Sequence, residues 1–180
     1  MKKLAFLLLL IVVNMSLMPS LLAQKVRINE GLYLLSENGK YGLVDLSGKE
    51  VLPTVYESIG FDGERGFTLK NGKMGMIDGR GNILLNNEYE AIEFESERAW
   101  TMKRGKIGMV DINGKVIIEN KYDAIEFESG IGVTIIDGKM GLIDLNGKEI
   151  LPNEYDAIEF LDGKVRTLKN GKRSTIDLFY

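Results

Sequence analysis

Hydrophobic and polar residues alternate in short bursts along this chain, and turns containing glycine separate the bursts. Phe67-Thr68-Leu69-Lys70 and Lys73-Met74-Gly75-Met76-Ile77 flank Asn71-Gly72. Period-two alternation predicts half-buried strands. Asn-Gly between two such runs predicts a two-residue hairpin, because a type I′ turn needs positive φ at both central positions. Asn38-Gly39, Arg104-Gly105, Asp137-Gly138 and Asn170-Gly171 repeat the signal. In this hairpin Leu69 faces Met74 and Phe67 faces Met76 on one side of the ribbon, with Thr68, Gly75 and Ile77 on the other. No segment carries helical periodicity.

A second turn follows each hairpin. Asp45-Leu46-Ser47-Gly48, Asp111-Ile112-Asn113-Gly114 and Asp144-Leu145-Asn146-Gly147 open with a carboxylate able to accept a backbone N–H two positions on. They close with a glycine able to adopt the left-handed conformation, which predicts a type I turn with a bulge. A short apolar strand comes next, ended by Pro53 after Val51-Leu52 and by Pro152 after Glu149-Ile150-Leu151. Without an N–H, proline suits a strand end or an edge. Tyr155-Asp156-Ala157-Ile158-Glu159-Phe160 then leads into the next copy. Its tyrosine, isoleucine and phenylalanine recur as Tyr56, Ile59, Phe61; Tyr89, Ile92, Phe94; and Tyr122, Ile125, Phe127. Ile and Phe two apart point the same way, so they are expected to bury while the acids around them face water.

These signals recur every 33 residues without an insertion. Gly42, Gly75, Gly108 and Gly141 fall in register, as do Asp45, Asp78, Asp111, Asp144 and Asp177. Full copies run 38–70, 71–103, 104–136 and 137–169; a strand-like lead-in (32–37) precedes them and a partial copy (170–180) follows. One copy has too little apolar surface to fold alone, so neighbours must stack. The expected fold is all-β: hairpin repeats, three to four short strands per copy, stacked as an open array, curved or straight. A small β-propeller is the alternative, weakened because familiar blades take about 40–50 residues.

The chain's start reads differently. Met1-Lys2-Lys3, the apolar run from Leu4 to Val13 and Ser20-Leu21-Leu22-Ala23-Gln24 have the charge, apolar length and small residue of a secretory signal cleaved after Ala23. Asn14 and Pro19 interrupt the apolar stretch, which argues against a lasting membrane span. The expectation is an exported protein, periplasmic or secreted, with its β domain at 24–180. Losing Lys2 and Lys3 takes the formal net charge from −3 to −5, a poor balance for a nucleic-acid partner. The chain has no cysteine and no histidine, which removes disulfides, thiolate sites, and the commonest general base and metal ligand. No cofactor is expected.

The pattern Gly-Lys-x-Gly-x-Ile/Val-Asp, then Gly-Lys, a short apolar strand with proline, then Tyr-Asp/Glu-x-Ile and Phe, resembles the bacterial WG (KWG) repeat over about residues 38–178. The resemblance implies a repetitive, β-rich, non-catalytic binding protein. The tryptophan that names the family is absent, its slot held by Tyr41, Met74, Ile107, Met140 and Arg173. A ligand that stacks on that ring is therefore not implied.

Lys40, Lys73, Lys106, Lys139 and Lys172 follow the hairpin glycines. Aligned by stacking, they form a row that suits a protein partner or an anionic polymer; the blander reading is a solvated face that discourages unwanted strand pairing. Glu57, Glu90, Asp123 and Asp156, with Glu93, Glu126 and Glu159 nearby, form an acidic row expected to stay solvated or to pair with the lysines. Neither the calcium nonapeptide nor an EF-hand loop is present. The aspartates that head the bulged turns have a structural task. Trp100, aligned with Phe67, Val133 and Arg166, is a packing residue or a sugar-stacking one. The resulting expectation is a non-enzymatic binding or scaffold module for a protein partner. The alternative is a cell-wall or glycan-binding module, which requires Trp100, Phe67, Tyr41 or Tyr180 grouped on one face. A hydrolase using carboxylates alone ranks last.

Overall fold

The computed structural model describes residues 24–29, 31–161 and 164–177, so the expected leader (1–23) and Tyr180 lie outside the described residues. Within them nineteen strands form five antiparallel sheets. The first sheet is β1 (Gln24–Arg27), β2 (Leu32–Glu37), β3 (Lys40–Asp45) and β4 (Glu50–Tyr56). The second is β5 (Ser58–Asp62), β6 (Arg65–Lys70), β7 (Lys73–Asp78) and β8 (Ile83–Tyr89). The third is β9 (Ala91–Glu95), β10 (Arg98–Lys103), β11 (Lys106–Asp111) and β12 (Val116–Tyr122). The fourth is β13 (Ala124–Glu128), β14 (Ile131–Ile136), β15 (Lys139–Asp144) and β16 (Glu149–Tyr155). The fifth holds three described strands, β17 (Ala157–Leu161), β18 (Lys164–Lys169) and β19 (Lys172–Ile176). Each sheet is a meander in chain order.

The turn chemistry forms as its residues dictate. Asn71 and Gly72 have φ of 53° and 68°, and Leu69 lies opposite Met74 with Phe67 opposite Met76. At the second turn Asp45 Oδ1 accepts the N–H groups of Ser47 at 2.8 Å and Lys49 at 2.9 Å, and the Gly48 N–H donates to the Asp45 carbonyl at 3.0 Å. Gly48 is left-handed at φ 87°. The sheets change after each tyrosine, between Tyr56 and Ser58 and again 33 residues on, so one sheet joins the end of one sequence copy to the start of the next.

One expectation is corrected. The fourth strands do not end at Pro53 and Pro152 but continue to Tyr56 and Tyr155. Leu43 pairs with Leu52 and Tyr41 with Tyr56, so four residues of β4 span what two of β3 span. Pro53 falls in that bulge on an outer edge strand, where the ladder needs no N–H from it.

The core is a series of interfaces rather than one centre. Leu32, Leu43, Leu52 and Tyr56 of the first sheet meet Ile77 of the second. Met76, Leu85 and Tyr89 of the second meet Ile92, Ala99 and Val110 of the third. Met109, Ile118 and Tyr122 then meet Ile143, and Leu142 meets Ile158 and Val165. Burying a large apolar side chain contributes roughly 1.5–3 kcal/mol, and these side chains are buried only because the next sheet covers them. Each sheet is thus held by its neighbours, as stacked repeats require. Among the described residues packing joins consecutive sheets and the array is not closed.

Candidate functional site

The repeated lysines and acids meet at the sheet junctions. Lys40 Nζ lies 3.6 Å from Glu57, Lys73 Nζ 2.5 Å from Glu90 and Lys106 Nζ 2.5 Å from Asp123; Lys139 pairs with Asp156. Each acid also grips the next hairpin. Glu57 accepts the N–H groups of Asn71 and Gly72, Glu90 that of Gly105, Asp123 that of Asp137 and Asp156 that of Asn170. A lysine of one turn, an acid at the sheet change and the amides of the following turn therefore make one staple, repeated along the array. The backbone amide of Gly72 holds the Glu57 carboxyl below its ordinary range. Hydrogen bonds from Lys73, Lys106 and Lys139 do the same for Glu90, Asp123 and Asp156. Lys172, last in the row, has no acid within 4 Å among the described residues.

Trp100 lies in the interface between the third and fourth sheets, its ring 6.0 Å from that of Phe127, and its indole N–H donates to Glu95 at 3.0 Å. Phe67 meets Phe94 edge-on at 5.3 Å. Both aromatics face a neighbouring sheet rather than one another. Phe160 departs from the burial expected of its slot, standing 43% exposed.

Two sets of structural residues escaped the sequence reading. Asn87 Nδ2 donates to the Thr68 carbonyl, the Thr68 hydroxyl and the Lys73 carbonyl, each at 3.0 Å. Asn120 repeats this with Thr101 and Lys106, and Asn153 with Thr134 and Lys139. The 33-residue recurrence of these threonines and asparagines was the available signal. The network also explains the glycine it crosses: a Cβ on Gly75 would lie 2.8 Å from the Leu85 carbonyl oxygen and 3.0 Å from the Asn87 side chain. The second set bolts consecutive sheets together. Asn29 donates to the Gly79 carbonyl at 2.9 Å, Arg65 to Ile112 at 2.8 Å and Arg98 to Leu145 at 2.5 Å, each acceptor in the bulged turn of the following sheet.

Two shallow grooves lie among the described residues. One, about 440 Å³, lies over Thr167, Lys172 and Ser174 beside Tyr155, where Asn153 covers the corresponding residues of the fourth sheet. The other, about 350 Å³, runs along the outer strand of the second sheet past Ile83, Asn86 and Asn87, with Tyr56 and Lys70 on its other wall. Among the described residues no group of three or more Asp or Glu side chains is arranged to hold a metal, and no helix is long and apolar enough to cross a membrane.

A family model described as a WG containing repeat matches residues 41–73, 107–139 and 140–172, more than half of the chain. No match was found among curated proteins. Among solved structures, the WD40 β-propeller domain of Doa1 is 17% identical, with 83% of this chain and 65% of that one covered and a TM-score of 0.30. Kluyveromyces lactis Hsv2 is 12% identical, covering 82% and 57%, at a TM-score of 0.35. PorZ, a surface component of the type-IX secretion system of Porphyromonas gingivalis, is 8% identical, covering 82% and 26%, at 0.30. The chain thus spans 65% or less of the length of these structures, and scores this low do not establish a shared fold.

Proposed function

The chain belongs to the WG-repeat family, and from that premise we propose that it is a non-catalytic binding or scaffold module for a protein partner, exported to the cell envelope. The observation that carries the reading is how the repeated charges are used. The first four turn lysines and their acids are engaged in staples between sheets, so what the described residues offer outward is a run of strands and edges. Such a surface suits a macromolecule. Trp100 and Phe67 pack between sheets, which favours a protein over a glycan, since sugar binding calls for aromatic faces open to solvent.

Export is supported by the sequence alone: the charged start, the apolar run from Leu4 to Val13 and the small residue before Gln24 have the form of a secretory signal. Mass spectrometry of the protein recovered from the envelope fraction should show a mature N-terminus at Gln24; full-length protein in the cytoplasm refutes export.

The turn lysines are tested with their acids left in place. A pull-down from envelope extract uses the mature chain beside a chain in which Lys40, Lys73, Lys106, Lys139 and Lys172 become glutamine. The change removes the positive row and leaves each acid on the amides of the following hairpin. A partner captured by the parent and lost by the glutamine chain identifies the lysine row, Lys172 included, as the contact. A partner retained by both places the contact elsewhere, and the absence of any specific partner refutes the binding reading.

A further inference from the structure

The four complete sheets do not guard their outer edges equally. An edge strand exposes unpaired backbone N–H and C=O groups, and charges or proline on that strand discourage another chain from pairing with it. The outer strands β4 and β16 carry both devices: Glu50 and Pro53 in one, Glu149 and Pro152 in the other. At the same slots β8 carries Ile83 and Asn86, and β12 carries Val116 and Glu119. Ile83 is 54% exposed and Val116 45%, so both edges carry an open β-branched side chain, but β12 keeps a charge at Glu119 and β8 has only Asn86 at that slot.

The groove along β8 adds a second, independent feature. Lys70 on its wall is a cation without a partner: its counterparts Lys103 and Lys169 pair with Glu88 and Glu154, but the residue in the matching slot for Lys70 is Val55. Among the described residues no acid lies within 4 Å of Lys70, whose ammonium sits 5.8 Å from the Tyr56 ring. A strand edge with its N–H groups intact, an exposed apolar side chain and an unmatched cation thus line one groove, and its carboxylate, Glu88, is already paired with Lys103.

The fifth sheet is the weaker place for an added strand, although its outermost described strand, β19, also borders a groove. In all four complete sheets the strand that receives the outer strand carries a glycine where the two cross, and Ser174 holds that slot in β19. A Cβ at the corresponding Gly141 would lie 2.8 Å from the Leu151 carbonyl oxygen.

We propose that the outer edge of β8 pairs with an extended segment of a protein partner, a segment that sets an apolar side chain against Ile83 and a carboxylate against Lys70. This rests on the reading of the chain as a protein-binding module and names its site. Main-chain hydrogen bonds supply affinity in such strand addition, and side-chain pockets supply selectivity.

The chain itself supplies the substitutions that test it. Asn86→Pro and Ile83→Glu install what the first and fourth sheets already hold at these slots, so the fold should tolerate both. Fluorescence anisotropy is measured with a short labelled peptide of alternating threonine and valine with one central glutamate. The parent should bind it, Asn86→Pro and Ile83→Glu should each weaken binding about tenfold, and Lys70→Glu should weaken it about threefold. A peptide with lysine in place of the glutamate should bind Lys70→Glu better than the parent. No binding to the parent, or equal binding to parent and Asn86→Pro with Ile83→Glu also unchanged, overturns the assignment. The envelope pull-down separates the two readings. If the parent and Asn86→Pro chains capture the same partner, the binding module stands and the β8 edge falls; if neither captures one, the binding module itself falls.

Discussion

The third sheet and the fifth are written in nearly the same 33-residue phrase, yet they sit differently in the array. The third sheet offers Trp100, Met102, Ile107 and Met109 to its following neighbour, and Trp100 and Met109 join the cluster that neighbour completes. The fifth offers Arg166, Leu168, Arg173 and Thr175 from the same slots. Its preceding face keeps Val165 and Ile158 and is buried against the fourth sheet. One face of the last described sheet is therefore apolar and buried, and the other carries two arginines and a threonine in the slots that hold apolar side chains in the third. The comparison separates two kinds of residue in the phrase: those that make the hairpins, present in both sheets, and those that make a neighbour welcome, present only in the third.

The glycine slot breaks the comparison most sharply. Gly108→Ala places a Cβ 2.6 Å from the Ile118 carbonyl oxygen and 2.8 Å from Asn120. Backbone cannot yield as a flexible side chain can, so the outer strand must shift, at a cost of about 2–4 kcal/mol. Ser174→Ala, in the equivalent place on β19, meets no described outer strand and should stay within about 0.5 kcal/mol of the parent. Urea unfolding of both variants measures the gap. Equal losses would mean that the glycine serves the hairpin rather than the strand crossing it.

A second pair of glycines compares the first sheet with the third. Gly48 and Gly114 both close a bulged turn at positive φ, 87° and 80°. Gly48 has open space around it, whereas a Cβ on Gly114 would lie 2.7 Å from the Leu84 carbonyl oxygen of the preceding sheet. Gly48→Ala should cost about 1–2 kcal/mol for the left-handed backbone alone, and Gly114→Ala about 1–3 kcal/mol more for the crowded interface. Thermal unfolding of the two variants gives the difference directly.

Much of this was legible from the residues. Asn71-Gly72 specified its turn because few dipeptides tolerate two positive φ values, and Asp45 announced the bulged turn through its carboxylate. The order and pairing of strands within a sheet followed from those turns. The partition between sheets did not, because Tyr56 and Ser58 read as one continuous strand and it is the step between neighbouring sheets that separates them. The run of β4 past Pro53 was hidden for a related reason: proline excludes a ladder hydrogen bond but not a bulge. At the candidate site the lysine and acid rows were visible and their pairing foreseen as one option. The hold of each acid on the next hairpin's amides depends on how sheets stack, which no local pattern encodes. Lys70 was equally hidden, since its lack of a partner appears only once Val55 is seen to fill an acid's place.

The threonine–asparagine network offers a milder contrast. Asn153→Ala removes the donor that serves the carbonyls of Thr134 and Lys139 and the Thr134 hydroxyl. Leaving such groups unpaired in a half-buried site should cost about 1–3 kcal/mol. Thr167 occupies the same slot in the fifth sheet and has no asparagine across it among the described residues, so Thr167→Val should change stability by less than about 0.5 kcal/mol. If Thr167→Val proves as costly as Asn153→Ala, the hydroxyl acts on its own strand and not through the network.

The smallest expected effect lies in the staples, and it has a definite sign. The carboxyls of Glu57, Glu90, Asp123 and Asp156 are held below their ordinary values by hydrogen bonds from the following hairpin amides and from the preceding lysines. A carboxyl depressed in the folded state binds its proton more readily in the unfolded chain. The stability it contributes is therefore present above the unfolded value and is lost as pH falls through the folded one. Stability should hold level from neutral pH to about pH 5 and decline from about pH 4.5 downward. Glu90→Gln keeps an acceptor for Gly105 but not the charge facing Lys73, so its decline should be shallower. Lys172→Gln, which has no described acid to lose, should follow the parent curve throughout. A Glu90→Gln curve that coincides with the parent's would show that the staples act through hydrogen-bond geometry and not through charge.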